Sequence, residues 1–182
     1  MPGTPLSQVL PGAEQDVVVA GLLRRLWAQP HLAYPFRPLA QMCAAWADEF
    51  ETGYAVTGPA HRIDPGLARA GIALFRSLPE TAPRQVLLCT DLHADNILAA
   101  RREPWLVIDP KPYVGDPAYD VVQHMLNCED RLAADPAGLA ARMAGLAGLE
   151  PDRVRLWLFA RSVQESAGSP LMRRVAGRLT PS

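Results

Sequence analysis

The chain has 182 residues, 49% hydrophobic and 20% charged, with a formal net charge of -1. That length suits one folded domain with its own core, and the composition excludes a disordered chain, while the near-neutral charge excludes a general nucleic-acid binder. No apolar run is long enough to span a membrane and residues 1–11 lack the basic start and apolar stretch of a signal peptide, so cytoplasm is the expected location, with neither nucleic acid nor membrane as partner.

Residues 1–12 carry Pro2, Gly3, Pro5, Pro11 and Gly12 and read as a linker rather than a helix. Over residues 13–28, Val19, Leu22, Leu23 and Leu26 recur at helical spacing with Glu14, Arg24 and Arg25 opposite, which predicts an amphipathic helix. Prolines at 30, 35 and 38 interrupt the chain, and Leu39, Met42, Cys43, Trp46, Phe50 and Tyr54 then continue an apolar stripe along a longer helix. Asp64 before Pro65 supplies an N-cap and a first-turn proline, and Leu67, Leu74, Phe75 and Leu78 form that helix's apolar face up to Pro79. Short runs rich in Val, Leu, Ile and Trp at residues 85–89 and 105–108 read as buried strands, with residues 97–99 as a third. Asp116-Pro117 opens a helix bearing Val121, Val122, Met125 and Leu126, and further helices are predicted at 136–146, 151–166 and 171–179. The fold class is α+β, mainly helical, with one small strand region in a single unit over residues 13–182.

Cys43, Cys89 and Cys128 are odd in number and far apart, so they read as reduced thiols, and Lys111 is the only lysine in the chain. Chemistry concentrates between residues 90 and 120, which hold Asp91, His93, Asp95, Asn96, Asp109, Asp116 and Asp120. Two hydrophobic strands deliver these polar loops to one edge. Asp91 and Asn96 stand five positions apart, the DLxxxN spacing of a phosphoryl-transfer loop. In such a loop the aspartate accepts a hydroxyl proton and the asparagine binds metal. Asp109 ends the next strand, where a second metal-binding carboxylate belongs, and the Lys111 ammonium could neutralise a phosphate oxygen or stand as a solvated turn residue.

Plainer readings stand beside these. Asp91 and Asn96 alone could cap turns with their own side chains. A zinc site from His93, His124 and Asp95 has no supporting spacing. Asp116 reads as an N-cap and Asp120 as a first-turn carboxylate, and with His93 both count as structural support. Cys89 reads as a buried, inert thiol, and the Trp46, Phe50 and Tyr54 stripe as helix core rather than a stacking platform. Glu150, Asp152 and Glu165 read as solvated helix faces rather than as binders of a cationic acceptor.

The text LLCTDLHADNIL followed by WLVIDPKPYVGDPAYD resembles the aminoglycoside phosphotransferases, in particular the streptomycin 6-kinase and hydroxyurea phosphotransferase branch. PFRPLAQMCAAWADEF and RVRLWLFARSVQES extend the resemblance over most of the chain. It implies the C-terminal lobe of a protein-kinase-like fold over residues 13–182, with residues 1–12 as a hinge remnant. It also implies transfer of the ATP gamma-phosphate to an alcohol group of a small, cationic acceptor, of the kind seen in antibiotic resistance. By the same resemblance Asp91 is the catalytic base, and Asn96 and Asp109 are ligands of Mg2+. Cys89 and Thr90 stand where the family reads His-Gly, and no Gly-rich loop or lysine precedes Asp91. The expectation is therefore that the N-terminal lobe is missing, or that the chain self-associates. The alternative is a truncated, inactive remnant that only binds a small molecule or a partner.

Overall fold

Proline and its capping residue punctuate this chain. In the computed structural model, which describes residues 2–30, 35–58 and 62–180, five helices start on a proline preceded by a side chain that caps the first turn. They are α4 (Pro65–Ser77, capped by Asp64), α5 (Pro117–Leu126, Asp116), α7 (Pro136–Ala147, Asp135), α8 (Pro151–Gln164, Glu150) and α9 (Pro170–Arg178, Ser169). The Asp64 carboxylate, for example, accepts from the Gly66 and Leu67 N–H groups at 2.7 and 3.0 Å. Proline fits there because the first helical N–H has no intrahelical partner, and each cap is worth about 1 kcal/mol. The remaining helices are α1 (Leu6–Val9), α2 (Gly12–Leu26), α3 (Leu39–Val56) and α6 (Glu129–Ala134).

The centre of the core is α8, whose Trp157, Leu158, Phe159, Ala160 and Val163 are fully buried among α4, α5, α7 and α9. The Trp157 ring meets Phe75 and Tyr119 edge to face, with centroids 6.1 and 5.1 Å apart. Close approach of α4 to α8 depends on Gly71, because a Cβ there would sit 2.4 Å from the Val163 side chain. Among the described residues, no helix is long and apolar enough to cross a membrane.

Among the described residues, four short strands form two separate antiparallel ribbons. β1 (Val86–Leu88) pairs with β4 (Tyr113–Gly115), aligning Val86 with Gly115 and Leu88 with Tyr113. β2 (Ile97–Ala99) pairs with β3 (Trp105–Val107), aligning Ile97 with Val107. The runs expected as strands at 85–89 and 105–108 thus do not neighbour each other in one sheet. β4 and α6 were not anticipated from the sequence, since three and six residues are too few to display a period.

The linker expected at residues 1–12 is corrected. Leu6 is fully buried, and the chain before it lies along β2: Gly3 N–H donates to the Ala99 carbonyl at 2.7 Å and Ala99 N–H to the Thr4 carbonyl at 2.9 Å. Proline removes donors but leaves these neighbours free to extend a ribbon edge, and α1 then packs Leu6 into the core.

Candidate active site

Asp91 is held in place from below. As the chain leaves β1, the Cys89 and Thr90 N–H groups donate to the Asp120 carboxylate at 3.0 and 2.6 Å, and Trp27 Nε1 donates to it at 3.0 Å. Asp120 is completely buried, and burial pushes its carboxyl up from the ordinary value while the three N–H donors pull it down. Sequence analysis expected a first-turn carboxylate in a supporting role; its position beneath the Asp91 loop is the tertiary part of that role.

From this floor the loop is tied sideways to the segment after β3. Thr90 Oγ1 donates to the Lys111 carbonyl at 2.6 Å, Lys111 N–H donates to the Cys89 carbonyl at 2.9 Å, and Asp91 N–H donates to the same carbonyl at 2.8 Å. Ile108 N–H donates to the Asn96 carbonyl at 3.0 Å, and Asn96 Nδ2 donates to the Asp91 carbonyl at 2.9 Å. Asn96 Oδ1 is then the side-chain atom left for a ligand. The loop is strained at both ends of this stitching, since Thr90 (φ 51°) and Asp109 (φ 49°) occupy the left-handed region. For a β-branched threonine that conformation is unfavourable, by about 1–3 kcal/mol, and the surrounding hydrogen bonds hold it there.

Three of the residues singled out from sequence meet at the mouth. Lys111 Nζ forms an ion pair with Asp91 and another with Asp109 Oδ2 at 3.3 Å. The Asp91 hydrogen bond, followed by that of Asp109, holds the ammonium above its ordinary value. Among the described residues His93 Nδ1 has no hydrogen bond; it lies 3.8 Å from Asp95 Oδ2, while Asp95 accepts from Ser7 on α1. Asp116 is not part of the cluster: it caps α5 and accepts from Arg153 Nε at 2.5 Å and Trp157 Nε1 at 2.7 Å, fastening α5 to α8.

Among the described residues, His93, His124 and Asp95 are not gathered into one metal-binding group. His124 Nε2 lies 3.0 Å from Asp16 Oδ1, with Cys128 Sγ 3.7 Å from the same nitrogen, and Arg131 and Arg142 already neutralise Asp16. Cys89 is buried, and burial pushes its thiol up to about 12, consistent with an inert group. Glu150 caps α8, Asp152 pairs with Arg155 at 3.5 Å and Glu165 pairs with Arg161 at 3.0 Å.

Beside Asp91 opens a cavity of about 430 Å3 whose walls include Arg37, Trp46, Lys111, Tyr113 and Arg161. The Arg37 guanidinium lies 4.7 Å over the Tyr113 ring, and that of Arg161 lies 4.8 Å over Trp46. The aromatic stripe of α3 is therefore divided. Trp46 faces this cavity, whereas Phe50 and Tyr54, stacked at 5.6 Å, line a separate cleft of about 410 Å3 between α3 and α4. Arg37, Trp27 and Asp120's loop contacts were missed or incomplete in the sequence reading, because each acts across a long separation with no local pattern.

The family described as aminoglycoside/hydroxyurea antibiotic resistance kinase matches residues 7–170. The hydroxyurea phosphotransferase of Kitasatospora aureofaciens is 35% identical over 150 residues, 81% of this chain and 42% of that protein. The streptomycin 6-kinase of Streptomyces griseus is 36% identical over 171 residues, 88% of this chain and 54% of that protein. The chain thus spans about half the length of the curated relatives it matches. Among solved structures, Plasmodium vivax ethanolamine kinase aligns with a TM-score of 0.62 at 16% identity, over 100% of this chain and 63% of that one. The GDP complex of wild-type aminoglycoside 2'-phosphotransferase-IIIa aligns with a TM-score of 0.53 at 19% identity, over 97% of this chain and 66% of that one. At these identities the likeness establishes a kinase-like fold.

Proposed function

The chain belongs to the aminoglycoside/hydroxyurea antibiotic resistance kinase family, and from that membership we propose that it forms the C-terminal lobe of a small-molecule kinase. The reaction is transfer of the ATP gamma-phosphoryl group to a hydroxyl of a small acceptor. The observation that carries this reading is the meeting of Asp91, Asp109 and Lys111 at the rim of a cavity large enough for such an acceptor.

Asp91 is the base: its carboxylate borders the cavity, accepts the acceptor's hydroxyl proton and orients the oxygen for attack. Asp120 positions it by gripping the N–H groups of the two residues before it. The Asn96 amide oxygen and the Asp109 carboxylate are hard oxygen donors, and the Lys111 ammonium between Asp91 and Asp109 marks a place where positive charge is held. Those donors fit Mg2+, which when bound would neutralise charge on the nucleotide's phosphate oxygens. Lys111 lends a point charge to a phosphate oxygen once it leaves the carboxylates.

In a preparation that turns over ATP and acceptor, Asp91→Ala is expected to lower kcat by roughly a hundredfold or more. Retention of most of the turnover would overturn the assignment. A second reading, a catalytically silent lobe, is favoured by the double ion pair of Lys111, which occupies both carboxylates. A magnesium-dependent ATP titration separates the two, because the silent lobe shows no affinity in the millimolar range or tighter.

A further inference from the structure

We propose that Asp16 on α2, His124 on α5 and Cys128 at the start of α6 form a binding site for one zinc ion. The site is built from other residues than the Asp91 cluster, and it does not rest on the reading of Asp91 as a catalytic base.

The three side chains meet for one local and one tertiary reason. His124 and Cys128 are four positions apart across the end of α5, and residues at that spacing share a helix face. Cys128 N–H donates to the Met125 carbonyl at 3.0 Å, a tight turn that keeps Sγ 3.7 Å from His124 Nε2. α2 then lays Asp16 Oδ1 3.0 Å from the same nitrogen. Each residue offers one donor atom, and the three donors lie within 4.8 Å of one another. Tetrahedral zinc, with bonds of about 2.0 Å to nitrogen or oxygen and about 2.3 Å to sulfur, spaces N and O about 3.3 Å apart and N and S about 3.5 Å apart. The two observed separations therefore need only small adjustments, one opening and one closing.

The surroundings suit a ligand carboxylate. Ionised Asp16 only accepts hydrogen bonds, so the Nε2 that faces it carries a proton. The ion takes that proton's place and displaces the Cys128 thiol proton as well, both passing to solvent. Asp16 and the thiolate then bring two negative charges to a dication. Arg131 Nη1 donates to Asp16 Oδ1 at 2.8 Å, while Arg131 Nη2 and Arg142 Nε donate to Oδ2 at 2.5 and 2.7 Å. Those bonds use one lone pair of Oδ1 and both of Oδ2, and they leave the lone pair that now faces His124. The guanidinium groups thus orient the carboxylate as outer partners of a metal ligand do, rather than compete for its place on the ion. A nitrogen, a sulfur and a carboxylate oxygen favour zinc over magnesium or calcium, which take oxygen donors. Cys128 is half-buried, and Arg131 and Arg142 also line a surface cleft of about 240 Å3, which gives an ion its way in. Three protein ligands leave the fourth position to water.

The test titrates Zn2+ alone, as its chloride, into the intact chain with a phosphine reductant and no chelating buffer, and uses Co2+ as the spectroscopic probe of the same site. One ion per chain is expected to bind with a Kd of about 10 μM or tighter and to raise the thermal unfolding midpoint. Co2+ is expected to give the intense visible absorption of a tetrahedral ion together with a sulfur-to-cobalt charge-transfer band. Cys128→Ser is expected to abolish that band and to weaken Zn2+ at least tenfold, whereas Cys43→Ala, at a buried position on α3, keeps both. Zn2+ is also expected to slow alkylation of Cys128 by iodoacetamide at least tenfold in the wild-type chain, which decides the question without a variant should Cys128→Ser fail to fold. An absence of saturable binding up to about 100 μM overturns the proposal. So does a cobalt complex without the sulfur band, a band that survives Cys128→Ser, or alkylation that Zn2+ leaves unchanged. No readout involves ATP or an acceptor, so failure here leaves the kinase reading standing, and failure of ATP turnover leaves the zinc site standing.

Discussion

Asp16 on α2 and Asp120 on α5 are both completely buried, and their carboxyls are shifted in opposite directions. Burial alone would raise both. At Asp16 the hydrogen bonds from Arg131, His124 and Arg142 outweigh it and hold the carboxyl well below the usual carboxylate range. At Asp120 the partners are the N–H groups of Cys89, Thr90 and Trp27, which carry no net charge, and burial prevails. Neutral dipoles replace part of the hydration of a carboxylate; guanidinium groups replace it and add attraction. The two regions differ in purpose accordingly. Asp16 gathers α2 to α5, α6 and α7 through His124, Arg131 and Arg142, whereas Asp120 spends its lone pairs on the loop that presents Asp91.

The comparison breaks most visibly at Asp120. Asp120→Ala leaves three buried or half-buried donors without a partner, and a loss of about 3 kcal/mol in urea unfolding is expected, together with loss of turnover in an active preparation. Asp16→Ala is expected to lose about 2 kcal/mol despite its ion pairs, because the Arg131 and Arg142 side chains are 33% and 41% exposed and can turn to water. If Asp16→Ala proves the more damaging of the two, the contrast between anchor and clamp fails.

pH sharpens the contrast. Burial would lower the His124 imidazole, but hydrogen bonds to Asp16 and Cys128 hold it up, from 6.5 to about 9. A pKa raised on folding gives stability that is fully present below about 6.5 and is lost as pH rises through about 9. Urea midpoints of the wild type should fall over that window, and those of Asp16→Ala should be flatter. In acid the sign reverses for Asp16, whose depressed carboxyl stabilises the fold above the unfolded value of 3.8 and ceases to as pH falls below it. Asp16→Asn should therefore reduce the acid loss, while Asp120→Asn should not, since the raised Asp120 carboxyl has the opposite dependence.

The smallest expected effect is at the strained residue above Asp120. Thr90→Val keeps the left-handed backbone and loses the hydroxyl bond to the Lys111 carbonyl, for a cost of about 1 kcal/mol. Thr90→Gly also loses that bond but relieves the strain, and thermal unfolding close to wild type is expected. A Thr90→Gly variant less stable than Thr90→Val would show that the strain is not there.

Much of the helical framework was legible because its signals are local. Asp64-Pro65 and Asp116-Pro117 announce helix starts within two residues, and the structure has α4 and α5 beginning there. The strands at 97–99 and within 85–89 and 105–108 were legible from composition, but β4 was not, because Tyr113–Gly115 is defined by its pairing with β1. The prolines and glycines of residues 1–12 suggested a free connector; docking of Gly3 and Thr4 against Ala99 is a long-range event that no window contains.

What the sequence determined by itself was the local grammar: where helices cap, and the five-residue step from Asp91 to Asn96 with Asp109 at the end of the next strand. Tertiary structure alone decided what those residues do to one another. It set Asp120 under the loop, turned Trp46 toward the cavity and Phe50 away from it, and left Arg37 without a carboxylate partner among the described residues. The physical reason is range. Capping and periodicity act within a turn or two of chain, whereas charge and burial are settled by whichever side chains the fold brings within a few ångströms, here separated by up to 126 positions.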